Sequence, residues 1–73
     1  MKFSCRFENR TTGELKDLVC TLDAREIADV ERARETDGNE AAASAAAAIV
    51  LHSAYRDLDA LEWKHLHSPV PVN

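Results

Sequence analysis

From Lys2 to Asn9, apolar and polar residues alternate. Phe3, Cys5 and Phe7 share one parity, and Lys2, Ser4, Arg6 and Glu8 share the other. Period-2 alternation predicts a half-buried strand. Asn9-Arg10-Thr11-Thr12-Gly13 follows as a turn, with Gly13 able to take a positive φ. The pattern resumes over Leu15 to Leu22, where Leu18, Cys20 and Leu22 share a face. The two segments read as a β-hairpin. A four-residue loop from Arg10 to Gly13 sets Phe3 opposite Cys20 and Cys5 opposite Leu18. A register two residues away would set Cys5 opposite Cys20. The first is preferred because it puts Gly13 at the last loop position.

The period then changes to that of a helix. Asp23 and Glu26 stand at the N-cap and N3 positions of a capping box, with Leu22 and Ile27 placed as a hydrophobic staple. Ala24, Ile27, Ala28, Val30 and Ala33 make a narrow apolar face, and Gly38 marks the stop near Thr36-Asp37. Arg25–Asp29, Asp29–Arg32 and Glu31–Arg34 are spaced as surface ion pairs, each worth about a few tenths of a kcal/mol.

Asn39 is placed to cap a second helix. Residues 41 to 48 read Ala-Ala-Ala-Ser-Ala-Ala-Ala-Ala, and Ile49-Val50-Leu51 follow. Alanine is the best helix former, and its small side chain lets another backbone approach closely. Nothing breaks the pattern before Leu61, which predicts about 22 residues and about 33 Å of helix. Leu51, Tyr55 or Ala54, Leu58 and Leu61 form one stripe, and Ala43, Ala47, Val50 and Ala54 a neighbouring one. His52, Arg56 and Asp59 fall on the solvent side.

The tail alternates again. Trp63, His65 and His67 share a parity before Pro69-Val70-Pro71-Val72. Proline cannot donate to a ladder, so this segment is an edge strand or, over residues 68–73, an extended or frayed tail. The expected fold is α+β. An N-terminal hairpin carries two antiparallel helices on one face, the second long and Ala-rich, and the C-terminal segment returns beside the hairpin. Residues 1–73 make one small domain.

A chain of 73 residues buries only about 60% of its unfolded surface. Below roughly 70–80 residues, natural chains often add a disulfide, a metal or a partner subunit. The net charge of −4 disfavours phosphate backbones and anionic membranes. A recognition helix beginning Glu40-Ala41-Ala42-Ala43 has almost nothing with which to read a base edge. No membrane span and no leader are expected, and a soluble, cytoplasmic location is the default. Frequent Ala, Arg, Asp and Glu suit a GC-rich bacterial genome.

Candidate chemistry is sparse. Two glycines exclude a glycine-rich phosphate loop. His65 and His67 on one strand face could hold a metal, with His52, Cys5 or Cys20 completing the set. Their plainer reading is two partly exposed histidines beside a terminal strand. Cys5 and Cys20 fall on the core parity and read as small hydrophobes, with a redox role as the alternative. No cofactor is called for and no catalytic residue stands out. The expected function is a small acidic, non-enzymatic interaction module. Its partner is a second copy (a homodimer) or another protein, met through Ala47, Val50, Leu51, Tyr55 and Trp63. Tryptophan and tyrosine are enriched at interface hot spots. A metal-binding or redox-responsive protein using His65, His67 and possibly Cys5 is the alternative.

Overall fold

The computed structural model describes residues 1–72. Strand β1 (Lys2–Asn9) and strand β2 (Leu15–Thr21) form the hairpin. Phe3 pairs with Cys20 and Cys5 with Leu18, the register set by a loop ending at Gly13. Gly13 takes φ 76°, a region that costs an L side chain energy. The Asn9 side-chain oxygen accepts from the Thr11 and Thr12 N–H groups at 2.9 and 3.0 Å, closing the turn from inside.

Helix α1 (Ala24–Asp37) begins at a complete capping box between Asp23 and Glu26. Asp29 pairs with Arg32, and Glu31 with Arg34. Helix α2 (Asn39–Asp57) follows after one residue. That residue, Gly38, ends α1 and starts α2 with φ 92° and ψ −172°. Asn39 is therefore not the cap expected of it: it is already inside α2, and no side chain caps that end. So short a connection folds the two helices back along each other.

The second helix also stops earlier than its spacing suggests, at Asp57 rather than near Leu61. Leu58 is extended (φ −106°, ψ 136°) and still buried. The cause is Asp59. Its side chain accepts from the Leu61 N–H at 2.8 Å, and its carbonyl accepts from Glu62 and Trp63. Aspartate competes in this way with helical bonding. Leu61 leaves the expected stripe and is 86% exposed.

Strand β3 (Trp63–His65) and strand β4 (Val70–Val72) both pair antiparallel with β1, on the edge opposite β2. The C-terminal segment thus returns beside the hairpin, and the tail is extended and paired as far as Val72. Four residues, 66–69, face only Cys5 and Arg6 of β1, so this edge bulges by two residues.

The core joins Phe3, Cys5 and Phe7 of β1 to Leu22, Val30, Leu58, Trp63 and one stripe of α2, namely Ala42, Ala46, Val50 and Ala54. Ala43, expected in the stripe with Val50, is exposed. The molecule measures 42 × 21 × 19 Å. At 19 residues α2 is about 28 Å long, and the eight-residue β1 about 26 Å. The long axis exceeds both. The radius of gyration of 12.9 Å exceeds the roughly 11 Å of a compact chain this long. No helix is long and apolar enough to cross a membrane among the described residues.

Candidate interaction surfaces

The helices lie on the Phe3, Cys5 and Phe7 side of the sheet. Paired residues of antiparallel strands point to the same face. Leu15, Asp17, Val19 and Thr21 of β2 therefore share the outer face with Lys2, Ser4, Arg6 and Glu8 of β1, and with Lys64, Val70 and Val72. One half of this face is ionic. Arg6 binds Asp17 through two hydrogen bonds of 2.7 and 3.1 Å, and Lys64 meets Glu8 at 3.3 Å. The hydrogen bond from Arg6 holds the Asp17 carboxyl below the usual carboxylate range, and Arg6 is raised in turn. The other half is apolar. Val19 and Val70 flank Ser4, with Val72 in the next row.

Strand β2 is poorly covered along its whole length. Leu15 and Val19 are 55% and 61% exposed, Leu18 and Cys20 are half-buried, and none of its residues is buried.

A groove of about 590 Å³ opens between the Ala-rich end of α2 and the end of the sheet. Its walls include Phe3, Val30, Ala42, Ala43, Ala46 and Pro71, with Lys2 and Arg34 as its charged groups. Alanine side chains stop at Cβ and leave the space between helix and sheet unfilled. A second hollow holds Asp23, Glu26, His52 and Arg56, but Asp23 and Glu26 are engaged in capping α1.

Of the five residues selected from sequence, Val50 is fully buried and Trp63 is 8% exposed. Ala47, Leu51 and Tyr55 are half-buried. Tyr55 stacks edge-to-face on Phe7 at 5.5 Å, and Lys16 Nζ sits 5.0 Å above the Trp63 ring. These residues are gathered mainly around the monomer's own core, and Val50 and Trp63 have almost no side-chain surface left to offer. The uncovered apolar positions on the outer face of the sheet are Leu15, Val19, Val70 and Val72, and Met1, Leu61 and Leu66 are exposed elsewhere. The signal for the first two was their parity, opposite to that of Leu18, Cys20 and Leu22.

His65 is the last residue of β3, and the bulge begins after it, so strand alternation no longer ties His67 to the same face. The His67 ring Nδ1 lies 2.9 Å from the Ser68 carbonyl. No group of three or more His, Cys, Asp or Glu is placed to hold a metal among the described residues. Cys5 and Cys20 are free thiols on diagonal positions of the hairpin. Burial, and then the neighbouring Cys20, push the Cys5 thiol up. That is the opposite direction from an activated nucleophile.

No family model matches this chain, and neither a curated protein nor a solved structure is significantly similar to it.

Proposed function

We propose that the chain is a small non-enzymatic interaction module that works as a homodimer. The observation that carries this reading is the state of β2, whose apolar residues Leu15, Leu18, Val19 and Cys20 are all left incompletely covered. Apolar area removed from water is worth roughly 25 cal/mol per Å², so covering that strand is a source of association energy. The elongated shape supports the same reading, because an elongated chain leaves more of its surface uncovered than a compact one. A standard interface takes roughly 800 Å² from each partner, a modest part of the 5060 Å² accessible here. Two free thiols, one buried, suit a reducing compartment such as the cytoplasm.

Size exclusion with light scattering tests the reading. The expected result is twice the 8.1 kDa chain mass, shifting to the monomer on dilution. A strict monomer at high micromolar concentration overturns it.

A further inference from the structure

The two edges of the sheet are built differently. The β3/β4 edge consists of two three-residue strands, interrupted by the bulge at 66–69 and bearing Pro69 and Pro71. Short strands, bulges and prolines are the devices by which sheets block further pairing. The β2 edge has none of these three, though it carries the charged side chains Lys16 and Asp17. Its seven residues pair with β1 in unbroken register, without proline.

The free backbone groups of β2 can be assigned. The Leu22 N–H donates to the Met1 carbonyl, and the Asn9 N–H to the Glu14 carbonyl, both at 2.8 Å. Hydrogen-bonded pairs alternate along an antiparallel ladder. Between those two ends, Lys16, Leu18 and Cys20 turn their N–H and C=O groups toward β1. Leu15, Asp17, Val19 and Thr21 turn theirs outward.

We propose that a second copy adds at this edge, β2 antiparallel to β2, with the two-fold axis through Leu18. This deepens the homodimer reading and rests on it. Leu18 is the midpoint of the strand. Pairing about it sets Leu15 opposite Thr21 of the partner copy and Asp17 opposite Val19 of the partner copy, with the reciprocal pairs. Every outward-facing backbone group of both strands then has a partner, and no row is left over. An axis through Val19 strands Leu15. An axis through Asp17 strands Thr21 and sets two carboxylates face to face, which is destabilising. The length match and the charge pattern therefore both select a second copy of β2 about one centre. In that register the half-buried Leu18 meets Leu18 of the partner copy on the helix face. On the outer face the apolar half of each copy, with Val19, then lies beside the Arg6–Asp17 half of the other in one continuous sheet.

Amide hydrogen exchange by NMR on the full chain, at low micromolar and at millimolar concentration, tests the proposal. The Leu15, Asp17, Val19 and Thr21 amides should gain about tenfold or more protection at the higher concentration. Those of Lys16, Leu18 and Cys20, already bonded to β1, should change far less. A Val19→Asp variant, which sets a second carboxylate opposite Asp17 of the partner copy, still folded by circular dichroism, should shift the equilibrium to monomer. A dimer by light scattering whose four outward amides stay unprotected overturns the β2 edge and leaves self-association standing. A chain that stays monomeric at millimolar concentration overturns both.

Discussion

The two halves of α2 make an instructive pair. The C-terminal half, Ile49–Asp57, lies against the sheet. Val50 and Ala54 are buried, the Val50 carbonyl lies 4.0 Å from Cys20 Sγ, and Tyr55 stacks on Phe7. The N-terminal half, Asn39–Ala48, buries Ala42 and Ala46 but leaves Ala43, Ser44 and Ala48 exposed, with the groove opening beside Ala42, Ala43 and Ala46. One helix thus has a half held by volume and a half held by propensity. Alanine keeps the backbone helical even where its side chains do not fill the space toward the sheet.

The strongest way to break this contrast is at the partner of the C-terminal half. Phe7 is fully buried and carries the contact with Tyr55. Phe7→Ala should cost about 3–5 kcal/mol. For 73 residues, at about 0.05–0.15 kcal/mol each, total stability is about 4–11 kcal/mol. The variant should therefore be largely unfolded or melt at a greatly reduced urea midpoint. A loss under about 1 kcal/mol, the size of an ordinary single substitution, would mean that the helix–sheet contact does not hold the fold.

The next test acts on the N-terminal half through its connection. Gly38 has φ 92° and ψ −172°, a region open essentially to glycine alone. A Cβ there meets no atom within 4 Å, so any cost of Gly38→Ala is in the backbone, at about 1–3 kcal/mol. The loss should appear first as faster amide exchange over residues 39–46, with residues 50–57 following only the global change. Equal acceleration in both halves would show that α2 opens as one unit.

The same contrast explains which features could be read from the chain. The hairpin register was legible because Gly13 had to sit where φ is positive. The start of α1 was legible because Asp23 and Glu26 satisfy each other locally. The end of α2 was not, since Leu58 and Leu61 keep helical spacing while the Asp59 side chain stops the helix. The open surface was missed for a related reason. Choosing the larger apolar residues of the longest helix selects Val50, Leu51 and Tyr55, and large apolar residues on a helix are those a small domain uses for its own core. Leu15 and Val19 stood on the parity read as solvent-facing, where exposure, not size, marks them.

The smallest expected effect separates the halves most finely, because it compares two alanines three residues apart. Ala46 borders the groove but is only 3% exposed, so leucine there would have to displace packed neighbours. Overpacking of this kind costs about 1–3 kcal/mol. Ala43 is exposed beside the 590 Å³ groove, and leucine is nearly as good a helix former as alanine. Ala43→Leu should therefore change stability by less than about 0.5 kcal/mol, its side chain entering space the native residue leaves empty. Paired urea titrations of the two variants measure the difference directly. Equal losses would mean that the N-terminal half is packed as closely at Ala43 as at Ala46, and the division of α2 into a filled half and an open half would fail. A neutral Ala43→Leu beside a destabilised Ala46→Leu would place the boundary between packed and open surface within a single turn of the helix.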